Sequence, residues 1–436
     1  MRRSAGRAGA PALAEIQEAR RLLAPLFETT PTLASPGLSR LAGRVVWLKA
    51  ENLQVTGSFK IRGAYNRIFR MERPKGVVAA SAGNHAQGVA LAATMLGLRS
   101  TIVMPEETPL IKVERTKAYG AEVILHGASF EDAFAKASAL RDRGRLTLVH
   151  AYEDREVMAG QGTIGLEILE AVPDLDAVLV PVGGGGLISG IAVAIKALRP
   201  EVAIIGVQAA AAAPAVTAFK GRGSRPAGRA RGDTIADAIR FKRASAVTMP
   251  IIREHVDEML EVTEEEIADA IVRLLEESKL VAEGAGAVGV AALVSGRVPK
   301  RFAHVCAVVS GGNIDLNMTA RVLEQGLSRS DRYLVLRAQI PDKPGRLFGL
   351  LSHLARQRIN VLDVRHNRAG WRIPLGAVEV EALVETRDAA HAAEILSSLE
   401  AAGYRVVSEG ARRDRPGSGR RASRGRGSAG RAGRRG

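Results

Sequence analysis

The sequence contains very little cysteine and few aromatic residues. Cys306 is the only cysteine among 436 residues, and Phe, Trp and Tyr together make up 4% of the chain. A lone cysteine cannot form an internal disulfide, and its apolar neighbours in HVCAVVS are typical of a core position rather than of a nucleophile. These features exclude a disulfide-stabilised secreted fold, and we expect a cytoplasmic protein.

Long apolar runs are also missing. No stretch of about eighteen uncharged apolar residues occurs, and the N-terminus lacks the apolar block of a signal peptide. The sequence therefore predicts no membrane segment. With 46% hydrophobic residues the chain can bury several cores, and its length predicts two or three domains.

Acidic residues are fewer than basic ones, which gives a formal net charge of +16. Residues 412–436 hold ten arginines and one aspartate, so more than half of this excess lies at one terminus. The segment has no hydrophobic residue larger than alanine and cannot bury enough surface to fold. We expect residues 411–436 to form a disordered Arg/Gly/Ser tail that binds nucleic acid only nonspecifically, through phosphate contacts.

The rest of the chain alternates between short apolar runs and helix-like stretches. This rhythm predicts an α/β fold with mainly parallel sheets. Helical patterns such as GNHAQGVALAATMLG and EEEIADAIVRLLEES separate the predicted strands. These strands are RVVWLKAEN, GVVAAS, STIVMP, AEVILHG, TLVHAY, AVLVPV, AIIGVQ and FAHVCAVVS.

A different pattern follows the polar stretch SRSDR near residue 330. The order is YLVLRAQI, a helix over 345–357, INVLDVRHN, GAVEVEALVET, a helix over 389–402, and YRVVSE. This βαββαβ order predicts a separate ferredoxin-like domain.

Three short stretches carry features of a binding site. PVGGGGLISG leads from a strand through four glycines into a helix, which suits a phosphate, because bare backbone and a helix N-terminus favour anions. In SAGNHAQG, Ser81 can cap a helix, while Asn84 and His85 place an amide and an imidazole near its free N–H groups. VVSGGNID ends a strand with Ser310, where a ligand can approach the glycine backbone. Each motif alone is also compatible with an ordinary turn.

A lysine links these motifs to chemistry. GSFKIRGAY places Lys60 between an aromatic and an aliphatic side chain. Apolar packing lowers the pKa of a lysine amine and makes it a nucleophile toward a carbonyl, with which it forms a Schiff base. A lysine of this kind together with a phosphate site indicates pyridoxal phosphate.

Five motifs occur in the order in which one known family has them. GSFKIRGAYN, SAGNHAQG, GGGGLISG, VAEGAGAVGVAAL and SGGNID resemble the threonine ammonia-lyase (threonine dehydratase) family of pyridoxal-phosphate enzymes, whose fold is the tryptophan synthase β-like fold, or fold type II. PDKPGRLFGLLSHLARQRINVLDVRH resembles an ACT domain, a regulatory amino-acid-binding module. The resemblance implies a catalytic domain over 1–328, with a smaller subdomain at about 50–150 inserted in a larger one, and an ACT domain over 332–410.

The resemblance also implies residue roles. Lys60 is the Schiff-base lysine and the base that removes the Cα proton, and Ser310 contacts the pyridine nitrogen; these two are the catalytic residues. The substrate carboxylate is received by Ser81, Asn84 and His85. No metal site is expected, because Gln208 has no nearby carboxylate. The implied cofactor-binding residues are Phe59, Lys60, Asn84, Gly183, Gly184, Gly185, Gly186, Leu187, Glu283 and Ser310.

The implied reaction is β-elimination of L-threonine, and of L-serine, to a 2-oxo acid and ammonia. A serine at the pyridine nitrogen weakens the electron sink and suits elimination better than transamination. Serine racemase or serine dehydratase of the same fold remains an alternative, although racemases have a serine where this chain has Ala82. A non-catalytic ligand sensor is the other alternative.

The resemblance to an ACT domain implies regulation. In PDKPGRL a tight turn leads into a helix whose free N–H groups can meet an α-carboxylate, and Asn360 opens the next strand. An isolated βαββαβ unit leaves a sheet face and an edge uncovered, so we expect a homo-oligomer, a dimer or a tetramer. The expected effector is a branched-chain amino acid, and the expected setting is amino-acid metabolism, including isoleucine biosynthesis.

Overall fold

The computed structural model describes residues 9–72, 74–144, 146–221, 234–329, 332–367 and 374–409, with the backbone alone at 325–329 and 409. The chain divides into two compact units, Met1–Gly326 and Leu327–Gly436. The predicted tail at 411–436 lies outside the described residues.

Ten strands of the first unit form two sheets. One sheet has the order β1-β2-β10-β7-β8-β9 and is parallel except for the β1–β2 pair, and the other is parallel with the order β5-β4-β3-β6. The strands are β1 (Thr32–Ala34), β2 (Val45–Ala50), β3 (Val77–Ala80), β4 (Ser100–Met104), β5 (Glu122–Leu125), β6 (Thr147–Leu148), β7 (Ala177–Pro181), β8 (Ala203–Ala209), β9 (Glu258–Val262) and β10 (His304–Val309).

Helices follow most of these strands, as parallel pairing requires. Short 3-10 turns occur at Glu51–Leu53, Ala210–Ala212 and Asp237–Ile239. The α-helices, including the one at the boundary of the unit, are α1 (Leu13–Leu23), α2 (Pro36–Ala42), α3 (Lys60–Phe69), α4 (Asn84–Met95), α5 (Leu110–Ala118), α6 (Phe130–Gly144), α7 (Arg155–Ala171), α8 (Gly186–Leu198), α9 (Pro214–Lys220), α10 (Thr248–His255), α11 (Glu264–Ser278), α12 (Gly284–Val294) and α13 (Leu316–Arg329).

The larger sheet is buried on both faces. Every residue of β7 and β8 is buried, which is why these strands read as continuous apolar runs rather than as alternating ones. Cys306 lies fully buried in β10, and burial raises the pKa of its thiol to about 12. Its predicted role as a core residue is confirmed.

Four buried charged residues join α3 to the larger sheet. Arg62 in α3 pairs with Glu51 (Nε to Oε2, 2.8 Å) and with Glu167 in α7 (Nη1 to Oε1, 2.5 Å). Lys49 in β2 pairs with the same Glu167 (Nζ to Oε2, 2.6 Å) and donates to the Thr30 carbonyl. All four side chains are buried, and we name them the paired cluster. It holds two positive and two negative charges, so each has an opposite partner.

The second unit is an antiparallel four-stranded sheet with two helices. Its order β12-β13-β11-β14 is that of a ferredoxin-like fold. Burial alternates along β11 and β13, so one face of the sheet forms the core with the helices. The elements are β11 (Tyr333–Pro341), α14 (Arg346–Arg356), β12 (Val361–Asn367), β13 (Ala377–Glu385), α15 (Ala389–Ala401) and β14 (Arg405–Glu409).

The fold class predicted from the sequence is confirmed: an α/β protein with parallel sheets and a C-terminal βαββαβ unit. Each predicted strand is present with its ends shifted by a few residues at most, whereas β1 and β9 were not predicted. None of the helices among the described residues is long and apolar enough to cross a bilayer.

Candidate active site

A cavity of about 870 Å³ opens where several strands of the two sheets end. Ser81 follows β3, Gly183 follows β7, and Ser310 follows β10 directly. Because the carboxyl ends of parallel strands are where α/β proteins place their ligands, this cavity is the candidate site. It is lined by every residue that the sequence assigned to the site, namely Phe59, Lys60, Ser81, Asn84, His85, Gly183, Gly184, Gly185, Gly186, Leu187, Glu283 and Ser310.

The glycine run forms a cradle whose wall has no room for side chains. A Cβ atom on Gly184 would lie 2.3 Å from the ring of Tyr152, and one on Gly185, whose φ is +91°, would lie 2.4 Å from Thr248 Oγ1. The cradle leads into α8. The first amides of this helix have no intrahelical acceptor, and its N-terminal residues line the cavity. Backbone N–H groups and a helix N-terminus at one place provide a site for a phosphate.

Tyr152 supports this cradle, a role that the sequence did not reveal. Its ring packs edge-on against Phe241, with 5.1 Å between ring centroids, and against His150, with 4.7 Å. Below the loop, Thr248 Oγ1 donates to the Gly184 carbonyl at 2.7 Å. The contacts of Tyr152 with Phe241 and of Thr248 with Gly184 join segments far apart in sequence, so no local pattern could have indicated them.

Lys60 begins α3 and extends into the cavity. Its Nζ lies 5.0 Å from the centroid of the Phe59 ring. Burial lowers the pKa of Lys60 to about 8, and the opposing effect of Glu283 is smaller. The Phe59 N–H donates to the Ser310 carbonyl at 3.2 Å, which ties the lysine loop to the end of β10. The amine is therefore held in place and is partly neutral near physiological pH.

Glu283, Asn84 and Asn313 form a hydrogen-bond chain along the cavity wall. Asn84 Nδ2 donates to Glu283 Oε1 at 2.6 Å, and Asn313 Nδ2 donates to Asn84 Oδ1 at 2.8 Å. Burial and then Asp237 raise the pKa of Glu283 to about 7, although the Asn84 N–H lowers it. Asn313 lines the cavity but received no role from the sequence.

The loop before α4 differs from the expectation in two respects. Gly83, not Ser81, is the N-cap of α4, and Ser81 Oγ accepts instead from the Gly83 N–H at 3.2 Å. His85 Nε2 lies 2.9 Å from the Val149 carbonyl, which can only accept, so Nε2 carries the proton. Burial lowers the pKa of His85 to about 3, and Lys60 lowers it further. The neutral imidazole thus offers no N–H to the cavity, and only the backbone of His85 can donate to an anion.

The residues considered for a metal site serve the fold. Gln208 Nε2 donates to the Val182 carbonyl, while its Oε1 accepts from the amides of Ala215 and Val216. Among the described residues no cluster of His, Cys, Asp and Glu could hold a metal ion.

The residues present fit pyridoxal phosphate. The glycine cradle, which any Cβ would obstruct, matches the phosphate, and the Lys60 amine of lowered pKa matches the aldehyde. Ser310, buried at the end of β10, lines the same cavity and supplies a hydroxyl. The cavity is of the size that small-molecule sites usually have.

Comparisons with known proteins agree with this geometry. The family described as "Pyridoxal-phosphate dependent enzyme" matches residues 23–311. An L-threonine ammonia-lyase of Thermotoga maritima is 48% identical over 398 residues, which cover 90% of this chain and 98% of the relative.

Solved structures with the same fold include enzymes with two different names. A threonine deaminase from T.th. is 42% identical with a TM-score of 0.66, covering 70% of this chain and 99% of that one. Maize serine racemase is 34% identical with a TM-score of 0.68, covering 73% of this chain and 98% of that one. From the family match and the extent of identity, the chain belongs to the pyridoxal-phosphate-dependent enzymes, and within them to the L-threonine ammonia-lyase family.

Proposed function

We propose that the protein converts L-threonine to 2-oxobutanoate and ammonia, and L-serine to pyruvate and ammonia, by β-elimination. The observation that carries this proposal is the position of Lys60. Its amine, with a pKa lowered to about 8, shares a cavity with a phosphate cradle and with the Ser310 hydroxyl. The relatives named L-threonine ammonia-lyase support threonine as the substrate.

Bound pyridoxal phosphate supplies the aldehyde that holds the amino group and the conjugated ring that takes up the electrons of the broken Cα–H bond. The glycine cradle and the N-terminus of α8 would hold its phosphate. Lys60 Nζ would attach the cofactor and, as a neutral amine, would accept the Cα proton. Burial makes this neutral form accessible, since it removes the solvation that would favour the ammonium.

Two groups set the direction of the reaction. Ser310 would hydrogen-bond the pyridine nitrogen without adding a negative charge, and the ring would then be a moderate electron acceptor, which suits loss of the β-hydroxyl as water with the proton that Lys60 takes from Cα. Ser81 Oγ and the backbone amides at the start of α4 hold the substrate carboxylate, because the His85 imidazole cannot donate to it. After release, the unsaturated amine hydrolyses in water to the 2-oxo acid and ammonia.

Racemisation is the second candidate function, since maize serine racemase has the same fold. Racemisation requires an acid on the face of the substrate opposite to the lysine. Ala82, which lines the cavity where racemases have a serine, has only a methyl group. This residue therefore favours elimination.

A kinetic comparison of substrates tests the proposal. Purified enzyme should release equal amounts of 2-oxo acid and ammonia from L-threonine, and specificity constants for L-threonine and L-serine would establish the preference. Formation of D-serine faster than pyruvate would favour the racemase. Cofactor bound without turnover of either amino acid would favour a ligand sensor.

The second unit supports a regulatory role as an ACT domain. Gly345 caps α14 at a φ of +83°, and the Arg346 N–H donates to the Lys343 carbonyl, so an α-carboxylate would meet the amides that follow Arg346 in the first turn. Asn360, just before β12, has its Nδ2 3.1 Å from Glu385 Oε2 on the surface, where a ligand could displace that contact. The edge strands β12 and β14 suit pairing with another copy, so a homo-oligomer is part of the proposal. A cytoplasmic location is proposed as well.

The effector is tested by titrating isoleucine and valine while threonine saturation is measured. The full chain is compared with a chain that ends at Ser328. A shift in substrate affinity should appear in the full chain only, and it should be matched by an equal shift in effector affinity. Saturation curves that ignore both amino acids would reject regulation and leave the catalytic proposal intact.

A further inference from the structure

The amide of Asn84 can be oriented in two ways, which differ in where its N–H donors and its acceptor oxygen lie. An asparagine amide has two donors on nitrogen and an acceptor oxygen, and its rotation by half a turn exchanges them. The hydrogen bonds around Asn84 decide between the two orientations.

A group that can only accept, the Thr56 carbonyl, lies at one end of the chain of hydrogen bonds, and Glu283 lies at the other. Asn313 Nδ2 donates to the backbone carbonyl of Thr56 at 2.8 Å, which assigns its nitrogen, and its second hydrogen meets Asn84 Oδ1 at 2.8 Å. At the other end, Asn84 Nδ2 donates to the Glu283 carboxylate at 2.6 Å. Asn84 therefore keeps one N–H that is not used in this chain.

Packing holds the chain of hydrogen bonds in this arrangement. Asn84 is 8% exposed and Glu283 is 6% exposed. A Cβ on Gly311 would lie 2.4 Å from Glu283 Oε1 and 3.1 Å from Asn84 Nδ2, so bare backbone forms the wall on that side. A Cβ on Gly57, whose φ is +68°, would lie 2.6 Å from Asn313 Oδ1. This packing keeps the two amides side by side, and the hydrogen bonds decide which of their atoms meet.

We propose that Asn313 is a positioning residue: it fixes the amide of Asn84, together with Glu283, so that the remaining Asn84 N–H is directed at the ring hydroxyl of the cofactor. This inference rests on the proposed function and on the role of Asn84 as a cofactor-binding residue, which the family resemblance implies and which we take to be a contact with the ring hydroxyl. If this is so, losing the N–H donors of Asn313 weakens cofactor binding, although Asn313 acts only through the side chain of Asn84.

The variant that tests this is Asn313→Asp, which keeps the shape and removes both donors. In this variant a carboxylate at position 313 faces Asn84 Oδ1, which loses its hydrogen-bond donor. We expect the Asn84 amide to rotate so that its N–H groups face residue 313. We expect the cofactor-free protein to bind pyridoxal phosphate about tenfold more weakly, and the absorbance band of the bound cofactor to shift. Asn317→Asp is the matched control, because Asn317 is exposed in the first turn of α13, and it should leave both quantities unchanged.

A double-mutant cycle separates positioning from general loss of structure. Asn84→Ala alone should weaken cofactor binding at least as much as Asn313→Asp, and the double variant should bind about as weakly as Asn84→Ala. If the two effects on affinity multiply, Asn313 does not act through Asn84 and the inference is wrong. Wild-type affinity and absorbance in Asn313→Asp would overturn it as well. Should that variant not fold, Asn313→Ala carries the same expectation without adding a charge.

The cycle also distinguishes this inference from the proposed function. If Asn84→Ala binds the cofactor like the wild type, the contact with the ring hydroxyl is wrong and the inference fails with it. If Asn84→Ala weakens binding while Asn313→Asp does not, the contact stands and only the positioning role is overturned.

Discussion

Two groups of buried ionisable residues in the first unit behave in opposite ways. In the paired cluster, burial opposes the charged forms, but the partners outweigh it: Glu51 and Glu167 raise the pKa of Arg62, while Arg62 and Lys49 lower that of Glu167. Around the cavity, burial dominates. It lowers the pKa values of Lys60 and His85 and raises that of Glu283.

The difference follows from the presence of a close opposite charge. Arg62 and Lys49 have carboxylates within 3 Å, whereas no ion pair of Lys60 or Glu283 occurs among the described residues. A paired buried charge stays ionised and is costly to leave without its partner, while an unpaired one moves toward neutrality and becomes able to exchange protons. The same residue types thus serve structure in one place and chemistry in the other.

The largest effect is expected from Lys60→Ala, which removes an unpaired amine. Turnover of L-threonine and covalent attachment of the cofactor should both be abolished, because alanine offers neither a nucleophile nor a base. Thermal stability of the cofactor-free protein should not fall, since no ion pair is lost. Ammonia release measures turnover, and the absorbance of the bound cofactor measures its covalent attachment. Lys117→Ala on the surface is the control, and retained turnover in Lys60→Ala would contradict the mechanism.

A large loss of stability, without loss of a catalytic group, is expected from Arg62→Met. Removing Arg62 leaves Glu51 buried without its ionic partner and Glu167 with Lys49 alone, and breaking a buried pair in this way costs about 3 to 5 kcal/mol. The control is Arg40→Met, whose side chain is 74% exposed and lies 3.6 Å from Glu277, and it should cost less than about 1 kcal/mol. Urea unfolding measures the free energy of unfolding of both variants. Equal losses of stability would contradict the distinction between the buried pairs of Arg62 and the exposed pair of Arg40.

The sequence predicted the site better than it predicted the contacts that support it. Lys60, the glycine run and Ser310 were recognisable because each depends on its immediate neighbours in the chain. The role of Tyr152 below the cradle and the hydrogen bonds of Asn313 depend on packing between distant segments. The proton position on His85 likewise depends on the Val149 carbonyl, which belongs to another element.

The strands that were missed have a common position. β1 and β9 are the two edges of the six-stranded sheet. β1 has only three residues, and β9 contains Glu258 and Glu261, so neither shows the continuous apolar run of the central strands. Edge strands are paired on one side only and tolerate polar residues, which explains why β1 and β9 are not marked by apolar runs.

The smallest effect, and the one that depends on pH, is expected from Glu283→Gln. The pKa of Glu283 is about 7 in the folded protein against 4.5 for an ordinary glutamate. The folded protein therefore binds more protons between these pH values than the unfolded chain, so its free energy of unfolding falls as pH rises through this window. Glutamine has no charge to bury and still accepts the hydrogen bond from Asn84.

Relative to the wild type, the cofactor-free Glu283→Gln variant should gain stability at pH 8, by at most about 3 kcal/mol, and gain none below pH 4.5. Urea unfolding of both proteins from pH 4 to pH 8 measures this difference, and the surface variant Glu28→Gln should show no such trend. A stability difference that does not change with pH would mean that Glu283 keeps its charge in the folded protein, as the lowered pKa of Glu167 indicates for that carboxylate.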